Sequence, residues 1–372
     1  MADLNVNSIG DASGGTTTTI NGLTPTVSNM AGRNRIINGD MRIDQRNAGA
    51  SVTPTVDNTF TLDRWSTALT AASKFSVQQS STAATGFTNS LLVTSLSAYS
   101  VGAGDIFALK HTIEGFNVAD FGFGAAGAST VTLSFWVRSS LTGTFGGALQ
   151  NGAQNRSYPF SFTINSANTF EYKTVTIAGD TSGTWVTNNG KGLSLWFSLG
   201  TGTTYSGTAN AWASGLYFQP TGATSVVGTS GATFYITGVQ LEAGSVATPF
   251  ERRPYGTELE LCQRYAVQLA DGTNQVIATG QCFSTSGGGG VVRFPVEMRA
   301  APTITASSAA HFSLTGLSGS TASMAGTNFV FASTRSFLCE FTGRSGGGLT
   351  AGDATTIFAT DSAARLLASA EL

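Results

Sequence analysis

Apolar and polar residues alternate along most of this chain. The stretches STVTLSFWV (129–137) and LSLWF (193–197) set bulky side chains between small or hydroxyl ones, the period-2 pattern of a strand with one buried face. The same reading predicts strands over 75–79, 90–94, 106–113, 129–139, 156–164, 171–177, 193–199 and 234–242. Turns rich in Gly, Asn and Ser separate them at the spacing of a sandwich. Eight or nine such strands with a long return connection describe a jelly roll. Ahead of them, RNRIINGDMRIDQR (33–46) reads as a first strand broken by the turn signal Asn38-Gly39-Asp40. FTLDRWS (60–66) sets Trp65 beside Asp63 and Arg64, which reads as a buried indole next to a rim ion pair in preference to a ligand site.

The pattern changes character three times across 233–266. Residues 234–241 are apolar and β-branched, like a buried strand; 242–250 is a turn-rich exit with Gly244 and Pro249; 252–261 carries most of the local charge. Pro254 marks a helix start, with Leu259 and Leu261 as apolar anchors. Gln240 and Glu242 read as polar ends capping a sheet edge, and Glu251, Arg252 and Arg253 as an exposed charged hinge. One domain closes here and a second begins. Beyond it, strands are predicted over 275–283, 290–296, 303–306, 312–315, 329–332, 336–342, 355–359 and 364–371, with a corner between Pro295 and Pro302. The expected architecture is all-β: a jelly-roll β-sandwich over 33–252, a hinge over 253–264 and a smaller β-sandwich over 265–372. Residues 1–32 are polar and rich in Gly and Thr, with isolated apolar residues (Val6, Ile9, Ile20, Leu23, Val27) that cannot build a core. They read as an extended arm that docks onto another chain.

Composition narrows the function. Charged residues are 11% of the chain, Gly occurs 46 times and Phe 24 times, which argues against both helical bundles and disorder. The net charge is −2 with no basic stripe, so nucleic acid is not an expected partner. So little charge on so large a surface suits a part built into an assembly, a neutral secreted protein being the alternative. Cys262, Cys282 and Cys339 are odd in number and at no metal spacing, which favours buried free thiols, one disulfide with a spare thiol being the alternative. The polar first residues do not resemble a signal peptide, and no run approaches a membrane span. The expectation is assembly in the cytoplasm and no membrane insertion.

Several of these motifs resemble, in order, a family of bacteriophage tail-fibre or virion structural proteins. They are NRIINGDMRIDQR, TLDRW, TLSFWVRS, ITGVQLEAGSVATPFERRPYGTELELCQRY, FPVEMRAAPTIT and a terminal AEL. The resemblance implies a carbohydrate-binding-module-like jelly roll, a short β-domain after LCQRY and location in the virion. It further implies a homo-oligomer, trimer first, whose N-terminal arm docks on other virion proteins. Heptads are lacking, so the contact would lie between β-domains. Jelly rolls of this kind often hold a structural calcium on backbone carbonyls, which leaves that metal open; no other cofactor is expected.

His111 and His311 lie two hundred residues apart without a GxSxG elbow, and His111 in ALKHTIEG reads as a rim or satisfied core histidine. Asp63, Asp105, Glu114 and Asp180 are carboxylates of the first domain, but no spacing selects a glycosidase pair among them. There is no DxDxDG loop or His/Cys cluster, and SGGGG (286–290) and SGGG (345–348) lack the Lys of a phosphate loop. Sugar binding is the best chemical reading. Tyr205, Trp212, Tyr217 and Phe218 sit among Gly, Ser, Thr, Asn and Gln, with Trp185 in the preceding turn, and aromatic faces stack on saccharides. Trp185, Tyr205, Trp212 and Tyr217 are therefore the expected carbohydrate-binding residues; the alternative is that Trp212 or Phe218 plugs the sandwich end or a subunit interface. The expected function is attachment to host surface glycan by a non-enzymatic fibre, through the jelly roll or the C-terminal domain, against a ligand-free decoration or adaptor protein and a glycan depolymerase.

Overall fold

The computed structural model describes residues 32–315, 324–344 and 348–372. The predicted docking arm over 1–32 lies outside the described residues except for Gly32. The chain divides between Arg253 and Pro254 into two compact units.

The first unit opens with strands β1 (Trp65–Leu69), β2 (Phe75–Ser80), β3 (Ser90–Ser95) and β4 (Ile106–Glu114). Then come β5 (Val131–Ser139), β6 (Gly143–Asn151), β7 (Arg156–Ile164), β8 (Glu171–Ile177) and β9 (Lys191–Thr201). Three short pieces, β10 (Ser206–Gly207), β11 (Ala213–Ser214) and β12 (Gln219–Pro220), precede β13 (Thr233–Ala243). A six-stranded sheet runs β1-β4-β9-β6-β7-β11 and a five-stranded sheet β2-β3-β13-β5-β8, both antiparallel throughout. Alternation sends one side chain in two between them. In β5 the inward set is Val131, Leu133, Phe135 and Val137, all fully buried. Phe135 meets Phe197 of β9 edge-on at 5.1 Å, joining the two sheets through one core. Each such Phe contributes about 1.5–3 kcal/mol by leaving water. The unit is a jelly-roll β-sandwich, as the alternation predicts.

Residues 33–46 do not form the predicted first strand. Asn38 and Met41 have φ of 57° and 60°, left-handed values that break an extended run. The Asn38 amide ties the resulting turn together by donating to the carbonyls of Ile43 and Asp63, while Ile36 and Met41 drop into the core as a plug. Asp63 and Arg64, predicted at the rim beside Trp65, are instead both buried. Trp65 is buried and its indole N–H donates to the Asn38 carbonyl at 3.1 Å. Asp63, itself buried, pairs with Arg46, and Arg64 turns inward to the Thr112 carbonyl. Strand β6 is not among the predicted strands, and the Gly146-Gly147 pair lies in its interior. A Cβ on Gly147 would stand 1.9 Å from the Trp196 carbonyl oxygen, so the glycine marks close approach of two strands.

In the second unit helix α1 (Tyr255–Gln263) follows Pro254 and fills most of the predicted hinge. Strands β14 (Ala266–Ala270), β15 (Val276–Cys282), β16 (Gly288–Arg293), β17 (Thr303–Ala306) and β18 (Phe312–Thr315) come next. The last are β19 (Gly326–Val330), β20 (Ser336–Thr342), β21 (Ala354–Ala359) and β22 (Leu366–Ser369). They form a six-stranded sheet, β18-β21-β15-β16-β20-β19, and a three-stranded one, β14-β22-β17. Between them lies a core that includes Phe312, Phe337, Cys339, Phe341, Ile357 and Leu366. Three separated motifs meet at its end. The Arg299 guanidinium and amide donate to the carbonyls of Ala370 and Arg264, and the Ala370 amide donates to Tyr265. All three cysteines are free and buried, and burial pushes the Cys339 thiol up to about 12.

Candidate functional site

Strand β5 contains two adjacent aromatic residues, and only one can face the core. Phe135 points inward, so Trp136 points outward from the five-stranded sheet. Its partner in register on β8 is Tyr172, which is 44% exposed. The two ring centroids lie 5.3 Å apart with planes inclined at 47°. These rings floor an open groove of about 590 Å³ on the outer face of the sheet. Phe87, Phe250 and Arg252 complete its aromatic side, and the hydroxyl residues Thr85 and Ser134 also line it. Phe87 and Phe250 meet edge-on at 5.2 Å, with the Arg252 guanidinium 4.8 Å from the Phe87 centroid. Arg252 also donates to the Gly86 carbonyl at 2.7 Å. Among the described residues that line the groove there is no carboxylate.

A β-bulge shapes the floor. The pairing of β13 with β5 shifts between Thr237 and Gln240, and Gly238 takes φ of 61° there. A Cβ on Gly238 would come within 2.6 Å of Phe87 Cζ and 3.1 Å of Trp136 Cδ1, so glycine lets both rings close over the strand.

The wall of the groove is built by the exit from β13. Glu242 accepts from the Thr248 amide at 2.8 Å and from the Thr248 hydroxyl at 2.6 Å. The Gln240 amide donates to Glu242 and its carbonyl accepts from the Glu251 amide. Glu251 in turn receives the amides of Gly32 and Asn34. This network folds residues 247–252 back over the sheet and sets Phe250 against Phe87. Gln240 and Glu242 thus do not cap an edge: β13 is the central strand of its sheet and both side chains are buried. Of the charge that follows, Arg252 is exposed as expected, whereas Glu251 and Arg253 are not. Arg253 and Glu251 form a part-buried pair at 3.5 Å, and Arg253 binds the Asn34 and Ile36 carbonyls.

The four aromatic residues expected to bind sugar fall into separate clusters. Trp185 and Trp212 meet at right angles, 5.5 Å apart, with Phe123 against both rings and Tyr158 against Trp212. Both indole N–H groups are spent on backbone, Trp212 on Ala178 at 2.7 Å and Trp185 on Ser182 at 3.1 Å. Both side chains pack on the main core. Beside Trp185 and Phe123 lies a small pocket of about 140 Å³. Tyr205 packs edge-on to Phe218, which covers the outward Trp196 of β9. Tyr217 lies over Gly207 and Gly215. Among the described residues no ring contact joins the tryptophan pair to either tyrosine.

The titratable candidates are engaged in structure. His111 is fully buried beside Trp65. Asp180 receives both arms of the Arg156 guanidinium at 2.7 Å. Burial pushes the Asp105 carboxyl up, yet hydrogen bonds from Gly102, Thr70 and Tyr99 outweigh it and hold the group below its usual range. Asp63, Asp105, Glu114 and Asp180 all lie outside the groove lining. Among the described residues no group of three or more His, Cys, Asp or Glu could hold a metal ion. Asp44 accepts the Asn47 and Gly49 amides, one on each carboxylate oxygen.

No family model matches this chain, and no curated protein matches it by sequence. Several solved structures align with part of this chain at low similarity. The enzymatically active domain of bacteriophage CBA120 tailspike protein 4 aligns with a TM-score of 0.32 and 12% identity, covering 56% of this chain and 21% of that one. This chain therefore spans about a fifth of that protein's length. A CBM4 structure aligns at 0.29 and 13%, covering 56% and 99%. The CBM22-1 xylan-binding domain of a Paenibacillus barcinonensis protein aligns at 0.25 and 12%, covering 54% and 99%. Likeness at this level carries no argument about ligand or activity; the fold rests on the strand order and register described above.

Proposed function

We propose that this chain is a non-catalytic virion protein of a tailed bacteriophage that attaches to host surface glycan through the outer groove of its first unit. The binding half of this reading is carried by the Trp136–Tyr172 pair: two neighbouring rings, held by strand register in an open groove edged with hydroxyl groups. Pyranose rings offer apolar CH faces that stack on such rings, and their hydroxyls bond to Ser and Thr. The virion half is supported by the ordered motifs from NRIINGD to the terminal AEL. On this reading residues 1–32 dock to other virion proteins, and the particle carries the protein as a homotrimer.

The test is adsorption competition. Purified protein is mixed with host cells before phage is added. Dose-dependent blocking that disappears with Trp136→Ala supports receptor binding through the groove. A protein found in particles that blocks nothing is a decoration or adaptor component. Shortening of a soluble oligosaccharide by the protein would make it a depolymerase.

A further inference from the structure

Resting on the glycan-binding reading, we propose that the saccharide taken by this groove is anionic, with Arg252 as its main charge partner and Arg138 as a second cation along the same face. The groove lining holds one charged side chain, Arg252. Its guanidinium spends one arm on the Gly86 carbonyl and stacks on Phe87 and Phe250, and it has no carboxylate partner among the described residues. A guanidinium carries five donors in a planar fork, so the remaining donors of Arg252 suit a carboxylate or phosphate. Stacking fixes the plane in advance, which lowers the entropy lost on binding.

Arg138 repeats the arrangement one strand period, about 6.6 Å, beyond Trp136 on β5. It stacks on Tyr235, its partner in register, at 4.9 Å and on Phe170 at 5.9 Å. It too has no carboxylate partner among the described residues. The acids close to this surface are used elsewhere: Glu242 is buried on Thr248, Glu251 holds the Gly32 and Asn34 amides, and Glu171 pairs with Lys173. The face therefore presents aromatic platforms with two guanidinium groups that have no carboxylate partner among the described residues, an arrangement that rewards acidic saccharides.

The experiment is an array of neutral, uronate-bearing, sialate-bearing and glycerol-phosphate-bearing glycans. Calorimetry follows on the tightest binder and its carboxyl-reduced or dephosphorylated counterpart. The expected result is binding confined to anionic glycans, falling about tenfold or more when the acid is removed from the ligand or when Arg252→Gln is made. The reduced ligand needs no variant, so the comparison holds even where Arg252→Gln lowers stability. The uronate, sialate and phosphate arms identify which anion is read. Neutral glycans bound as tightly as acidic ones, with Arg252→Gln unaffected, would overturn the anionic assignment and leave glycan binding standing. No binding to any glycan, or binding that survives Trp136→Ala, would overturn the groove and this inference together.

Discussion

Trp136 of β5 and Tyr172 of β8 stand opposite one another in register on the face of the sheet turned away from the core, ring centroids 5.3 Å apart. Strand pairing sets their separation, so no loop has to order when a ligand arrives. Neither ring is part of the sandwich core. Trp136→Ala is expected to weaken glycan binding by about 2 kcal/mol, roughly thirtyfold, with Tyr172→Ala somewhat milder. Stability should fall by no more than about 1 kcal/mol in either variant. Paired calorimetry and urea unfolding check this. Loss of binding accompanied by collapse of the fold would remove the pair from the site.

Gly238 links the bulge to the site. An alanine there adds strain at φ of 61° and a Cβ within 2.6 Å of Phe87. Gly238→Ala is expected to cost about 1–3 kcal/mol and to weaken glycan binding by pushing Phe87 and Trp136 apart. Urea unfolding followed by tryptophan fluorescence reads the first unit alone, because all five tryptophans (65, 136, 185, 196 and 212) lie in it. An unchanged midpoint with unchanged binding would show that the floor tolerates a side chain.

Most of the fold was legible because alternation and burial are the same fact seen twice: β7 and β8 have the predicted limits, and β4, β5 and β13 differ by a residue or two. What escaped was set by contacts distant in sequence. The turn at Asn38 depends on Asp63, and the glycines of β6 depend on the Trp196 backbone. The site was harder. Two adjacent aromatic residues in an alternating strand force one outward, a signal present in both SFW (134–136) and LWF (195–197). Trp196 is then covered by Phe218 and Lys110, whereas Trp136 lines an open groove. Local pattern fixes which way a ring points and leaves open what lies above it. The motifs carrying the family resemblance behave likewise. Gln240, Glu242, Glu251 and Asn34 are clamps within the first unit, and Arg299, Tyr265 and Ala370 are clamps within the second. They identify a fold more than a ligand.

Trp212 separates the two readings of its loop. Its ring contacts Phe123, Tyr158 and Trp185, and its N–H is bonded to Ala178. Trp212→Ala removes an aromatic wedge from the sandwich end and leaves the Ala178 carbonyl without that donor. The expected cost is about 2–4 kcal/mol, read from urea unfolding of the first unit, with glycan binding by the folded fraction unchanged. A variant of native stability that no longer binds would return the site to the loop between β9 and β13.

His111 gives the first unit a pH dependence of its own. The ring is buried, its Nε2–H donates to the Ile37 carbonyl at 3.0 Å, and Nδ1 is left without a partner. Burial, and then the positive charge of Arg64, hold its pKa well below 6.5 against the opposing pull of the Ile37 carbonyl. In the unfolded chain the imidazole binds a proton below about pH 6.5; in the folded chain it stays neutral there. Above pH 6.5 neither state is protonated and His111 leaves stability unaffected. As pH falls below 6.5 the unfolded state gains protons that the folded state cannot, and stability declines by up to about 1.4 kcal/mol per pH unit. Carboxylates with lowered pKa, such as Glu171 at about 2, lose their contribution only below about pH 4.5, outside this window. Urea midpoints between pH 5 and 8, read by tryptophan fluorescence, should therefore be flat above pH 7 and slope downward below 6.5. In His111→Gln, whose amide can still donate to Ile37, the slope between pH 5 and 6.5 should vanish. An identical slope in the variant would assign the acid sensitivity to another group.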